Sequence, residues 1–164
     1  MIKEKKYLFY MIKEEIMLTE YEGEIFNVKK NADSVSIWKY IPIEGFEKHT
    51  NRRGITYYEK VIKMEEVGEL FDITFTALIN DKKIIVKSMN NKKIDVICDD
   101  YEYSKANGFS EIEHGVWSKR LPIDTFSKFD LVKSVENSKR KEVKMLSVKE
   151  FIEAYGKYVI GVER

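Results

Sequence analysis

The chain has 164 residues, with 29 Lys and Arg against 28 Asp and Glu and a formal net charge of +1. It therefore lacks both the phosphate-neutralising excess of a general nucleic-acid binder and the acidity of a DNA mimic. Hydrophobic residues make up 43% and aromatics 13%, enough large apolar surface to offset the entropy of ordering the chain, so a disordered protein is excluded.

The single cysteine, Cys98, has no internal disulfide partner and, set in an apolar strand, reads as a small buried residue in a reducing, cytoplasmic compartment. No stretch approaches the roughly 20 apolar residues that span a bilayer as a helix. Heavy use of Lys, Ile, Asn and Tyr points to an AT-rich source, bacterial or phage.

Tyr7, Leu8, Met11, Ile12 and Ile16 fall at helical spacing and predict an N-terminal helix over residues 3–18, although 7–12 also suits a buried strand. Met-Ile-Lys-Glu recurs at 1–4 and 11–14, and Met17 follows, a pattern that fits a leader with an alternative start. Residues 21–28 predict one strand, 29–33 a turn, and 35–41 a strand with Val35, Ile37, Lys39 and Ile41 on one face and Trp38 and Tyr40 on the other. Pro42, Gly45 and the polar run 49–54 predict an irregular loop, a kind of segment that often carries function. Residues 55–62 return to strand composition.

The organising stretch is 70–103. Phe71, Ile73 and Phe75 alternate with Asp72, Thr74 and Thr76, then Asn80-Asp81-Lys82-Lys83 and Asn90-Asn91 punctuate further apolar runs at 84–86 and 94–98. This predicts a three-stranded antiparallel meander with Asn in the tight turns. Tyr101-Glu102-Tyr103 extends it as a strand with two aromatics on one face. Asn107-Gly108 signals a turn, Val116-Trp117 a short strand, Asp124 the cap of a helical turn, and 129–135 with 142–146 a hairpin tipped by 137–141. Ser147 with Glu150 forms a capping-box pattern before the stripe Val148, Phe151, Ile152 and Tyr155, with Gly156 as the stop. The chain thus reads as a single α+β domain: a mostly antiparallel sheet of about six to eight strands, a C-terminal helix and a possible N-terminal one.

No complete catalytic motif is present. Asp72, followed by a hairpin and Ile84-Ile85-Val86-Lys87, resembles the arrangement of metal-dependent nucleases of the PD-(D/E)xK class, but Ile85 stands where the second carboxylate should be. Without that acid an ion loses a ligand and the site most of its charge, so a divergent nuclease using Asp72 and Lys87, with an acid donated from elsewhere, is the alternative, enzymatic reading. His49, His114 and Cys98 form no paired-ligand spacing, and the glycines form no phosphate-cradling loop, so neither metal nor cofactor is expected. Asp99, Asp100 and Glu102 read as a solvated turn.

Two basic clusters remain, Arg52-Arg53 in the long loop and Lys139-Arg140-Lys141 at the predicted hairpin tip, and both suit contact with nucleic acid as an alternative function. The reading that best fits the composition is a non-enzymatic protein-binding module. The expected class is a small bacterial or phage inhibitor, either a toxin immunity protein or an inhibitor of a host defence enzyme. Arg52, Arg53, Tyr57 and Tyr58 are its first candidate contacts, with Trp38, Tyr40 and Trp117 behind them.

Overall fold

The computed structural model describes residues 17–159. Among these, twelve strands, two α-helices and two single 3-10 turns make the expected α+β protein, with more strands than the sequence suggests. In chain order they are β1 (Met17–Tyr21), β2 (Glu24–Lys30), β3 (Ser34–Lys39), β4 (Glu47–Thr50), β5 (Thr56–Lys63), β6 (Phe71–Ile79), β7 (Lys82–Asn90), β8 (Lys93–Cys98), α1 (Tyr101–Ala106), β9 (Ser110–Glu113), β10 (Val116–Pro122), β11 (Phe129–Val135), β12 (Lys141–Leu146) and α2 (Val148–Tyr158). The predicted N-terminal helix lies outside the described residues except at its end, where Met17 and Leu18 belong to β1.

The described residues fall into two compact units. One, the Trp38 unit, gathers 17–72, 133–141 and 153–159; the other, the Phe151 unit, gathers 73–132 and 142–152.

In the Trp38 unit the strands run in the order β4-β5-β3-β2-β1, every neighbour antiparallel, and Leu18 of β1 is opposite Phe71. The stretch read as one strand over 21–28 is the turn and second arm of a two-residue hairpin: Tyr21 pairs with Glu24, and Glu22 and Gly23 both take positive φ, 50° and 81°. Two consecutive left-handed residues give the turn whose twist matches that of the flanking strands. Glu is an uncommon residue for the first position, which is why the break does not show in the sequence.

Phe26, Val28, Val35, Ile37 and Ile62 form the packed face of this sheet. Val28 is opposite Ile37, and Val35 opposite both Lys30 and Ile62. Phe46 stacks on Phe26 at 5.4 Å, and Lys39, 9% exposed, lays its ammonium over the Phe26 ring at 4.4 Å while pairing with Glu24 at 3.1 Å. The face assignment for Val35, Ile37 and Lys39 follows the alternation; Ile41 lies beyond the strand and is 60% exposed.

In the Phe151 unit β7 lies between β6 and β8, and β8 leads on to β10 and β9. Both meander turns are two-residue loops with positive φ at each position, Asn80-Asp81 and Asn91-Lys92. Lys82 and Lys83 therefore head β7 rather than sit in the turn. Tyr101–Ala106 is a helix, not a strand. The Asp100 carboxylate accepts from the Tyr103 amide at 3.0 Å, and Asn107 closes the C-terminus by donating to the Tyr103 carbonyl at 2.8 Å.

β11 pairs with β6 and β12, as the predicted hairpin requires. Phe151 of α2 is fully buried, stacked on Phe129 at 4.0 Å and edge-on to Phe75 at 5.2 Å, and Phe126 leans on Phe129 at 5.5 Å. The capping box is formed in both directions: Ser147 Oγ accepts from the Glu150 amide and Glu150 Oε1 from the Ser147 amide. That amide holds the Glu150 carboxyl below its usual range. The helix passes through Gly156 and ends at Tyr158, and Ile152 of the expected stripe is 41% exposed.

Candidate interaction face

On the Trp38 sheet the residues that alternate with the packed set point the other way. Trp38 is opposite Asn27 and Glu59, Ser36 is opposite Val61, and Tyr57 is opposite His49. Trp38, Glu59, Tyr57, His49 and Val61 therefore share the face turned away from Phe26, Val28, Val35, Ile37 and Ile62.

Trp38 meets Tyr40 edge-on at 5.1 Å and Tyr57 edge-on at 5.9 Å, and Tyr57 stacks on His49 at 5.4 Å. All four rings are half-buried, and Val61 beside them is 59% exposed. Edge-to-face pairing adds to the attraction of buried ring area, so the rings hold one another in place on this face, where Asn27 and Ser36 beside them are buried.

The carboxylates of this face are arranged at a cost. Glu47 of β4 is directly opposite Glu59 of β5, and like charges at opposed positions destabilise a strand pair. Within the described residues the partner of Glu47 is His49, with Nε2 at 3.7 Å from Oε2, an ion pair only when the imidazole is protonated.

The β4–β5 loop carries Arg52 and Arg53, both exposed. Asn51 builds the loop: its Oδ1 accepts from the Arg53 amide at 2.9 Å and the Ile55 amide at 3.0 Å, its own amide donates to the Ile55 carbonyl, and its carbonyl accepts from Gly54. Gly54 takes φ +79°, a conformation that costs glycine nothing. The run 49–54, expected as an irregular loop, is thus the end of an edge strand and a tight hairpin turn.

The structure sorts the remaining candidates. Tyr58 is on the opposite face from Tyr57, facing Lys39 and Lys48 across the strands. Trp117 belongs to the Phe151 unit, edge-on to Tyr101 at 5.6 Å. Lys139 and Arg140 lie in the β11–β12 connection and Lys141 opens β12; Arg140 pairs with Glu69 at 3.1 Å. Asp72 is the second residue of β6, half-buried, and Lys87 is an exposed residue of β7 beside a bulge between Val86 and Ser88; they belong to different units.

Among the described residues no three of His, Cys, Asp and Glu lie together as a metal site, and no helix is long and apolar enough to cross a membrane. Cys98 is 3% exposed, and its Sγ accepts from the Asp100 amide at 3.4 Å.

The clearest perturbed groups are structural pairs in the Phe151 unit. Lys82 donates to Asp100 at 2.8 Å, which raises the lysine pKa and lowers that of the aspartate. Arg120 forks onto Asp95 at 2.8 and 3.1 Å and holds its carboxyl below the usual range, with Ser88 Oγ adding a third donor. Each of these anions is tied to an adjacent cation, the ordinary reason for such a shift in a folded sheet.

Sequence reasoning missed His49, Glu47, Glu59 and Val61. The alternation Tyr57-Glu59-Val61 was available as a signal, but placing Glu47 and His49 beside it needs the β4–β5 register. Residues 12–142, most of the chain, match the model of the family described as Uncharacterised conserved protein UCP033725. No curated protein and no solved structure matches the chain.

Proposed function

The chain belongs to the family Uncharacterised conserved protein UCP033725, and we propose that it is a non-enzymatic binding module whose Trp38 face docks another protein. The observation that carries this reading is the ring cluster of Trp38, Tyr40 and Tyr57, half-buried on the side of the sheet opposite the packed face and continued by exposed Val61. Tyr, Trp and Arg supply large, stiff contact area and dominate the energetics of protein interfaces. Here Arg52 and Arg53 rim the same hairpin. Their exposure suits them to steering a partner of complementary charge.

The paired carboxylates Glu47 and Glu59 repel a polyanion from this face, which favours a protein partner over nucleic acid. An inhibitor, such as a toxin immunity protein or a blocker of a defence enzyme, is the role proposed for such a module in a cytoplasmic setting, through an anchored, desolvated aromatic contact.

The test is affinity capture from the source cell with nuclease-treated lysate, followed by titration of the identified partner. One stoichiometric protein is expected, with Trp38→Ala or Tyr57→Ala weakening binding by about 30-fold, the effect of losing a hot-spot residue. Lys128→Ala, an exposed position of the other unit, serves as the control. Nucleic acid as the sole ligand, or a partner indifferent to both aromatic substitutions, overturns the reading.

A further inference from the structure

Among the described residues three strands have a single strand neighbour, and they differ. β4 reads Glu-Lys-His-Thr and β9 Ser-Glu-Ile-Glu, short and charged, as edges protected from pairing are. β12, Lys141–Leu146, is longer, and β11 is its one strand neighbour among the described residues. Two of its alternate positions are large and apolar: Val143 is 62% exposed and Met145 61%. Leu146 alone of the strand is buried.

We propose that β12 is the pairing edge of a symmetric dimer, its occupant being β12 of a second copy. The strand is complementary to itself in one register. An antiparallel pair with its two-fold axis at Val143 sets Val143 against Val143, Lys141 against Met145, and Glu142 against Lys144, the last two contacts each occurring twice. Directly opposed side chains lie about 4.5–5.5 Å apart at Cβ, where opposite charges attract and apolar groups pack. Val143 then meets its counterpart on one face, flanked diagonally by Met145 of each copy lying against Lys141 of the other, while the two Glu142–Lys144 pairs occupy the other face, since alternate residues change face.

Shifting the copy by one residue sets Val143 against Lys144 and Glu142 against Met145, which loses both ion pairs. The strand therefore specifies one alignment, as an isologous contact requires. Residues 142–146 of this edge belong to the Phe151 unit, and the Trp38 ring cluster to the other.

Sedimentation equilibrium of the whole chain over a range of concentrations tests the proposal, and the expected species is twice the 19.4 kDa monomer. Glu142→Lys and Lys144→Glu each oppose like charges twice and are expected to shift the equilibrium to monomer. The double variant, Glu142→Lys with Lys144→Glu, restores the pairing in reverse and is expected to restore the dimer. Circular dichroism of each variant establishes that it is folded. A wild-type chain that stays monomeric at its solubility limit, a folded single variant that dimerises as well as wild type, or a folded double variant that stays monomeric overturns the proposal.

Discussion

The two compact units differ in where one ring cluster of each lies. In the Phe151 unit Phe75, Phe126, Phe129 and Phe151 are at most 4% exposed, within 4.0 to 5.5 Å of one another along the chain of contacts that joins them. In the Trp38 unit the packed face is chiefly aliphatic, Val28, Val35, Ile37 and Ile62 around Phe26, and the rings of Trp38, Tyr40 and Tyr57 lie half-buried on the far side. Phe has only apolar surface to hide, whereas Trp and Tyr carry a polar end that water or a partner can satisfy. One unit therefore buries its ring cluster fully, and the other leaves a ring cluster half-exposed.

Breaking the first half of that contrast should give the largest effect. Phe151→Ala removes a fully buried ring from between Phe129 and Phe75. Truncations of this kind cost about 3–5 kcal/mol, a large share of a domain's stability. Denaturant unfolding followed by circular dichroism is expected to show that loss, with Trp38→Ala costing clearly less because its ring is only half-buried. Equal losses from the two substitutions would erase the distinction between the units.

A smaller change sharpens the second half. Asn51→Ala deletes the acceptor for the Arg53 and Ile55 amides, leaving the loop that presents Arg52 and Arg53 without its internal support. Because those amides are near solvent, water replaces much of what is lost, and the expected cost is about 1 kcal/mol. Amide exchange at Arg53 and Ile55 should quicken while exchange in the Phe151 unit stays unchanged, and Asn51→Asp, which keeps the oxygen, should preserve most of the protection. Wild-type exchange in Asn51→Ala would mean that the side chain does not hold the turn.

How far these contrasts were legible in sequence depends on the signal each one leaves. The meander of β6, β7 and β8, the hairpin of β11 and β12 and the capping box of Ser147 and Glu150 are written in local patterns of period two or in residues three apart, so they can be read without knowing the fold. Turns that place Glu22 or Lys92 at positive φ leave no such trace. Tyr101–Ala106 misled for a related reason. Its Tyr-Glu-Tyr alternation mimics a strand, while the helix is set by the Asp100 cap and the Asn107 closure on either side.

The candidate face was half-visible. Trp38, Tyr40 and Tyr57 were identified as a group with Tyr58 and Trp117, but only strand register separates Tyr57 from Tyr58 and brings Glu59 and His49 to its side.

The smallest expected effect has the opposite sign and lies in the Phe151 unit. Ser104 is fully buried, and its Oγ has no hydrogen-bond partner among the described residues, although its backbone groups are engaged by Asp100, Asn107 and Phe109. An unsatisfied hydroxyl carries a desolvation cost that no bond offsets, whereas a methyl group in the same space carries none. Ser104→Ala also favours the helix intrinsically. It is therefore expected to leave the protein as stable as wild type or more stable by up to about 1 kcal/mol. A loss of stability in the same denaturant experiment would show that the hydroxyl is satisfied in solution.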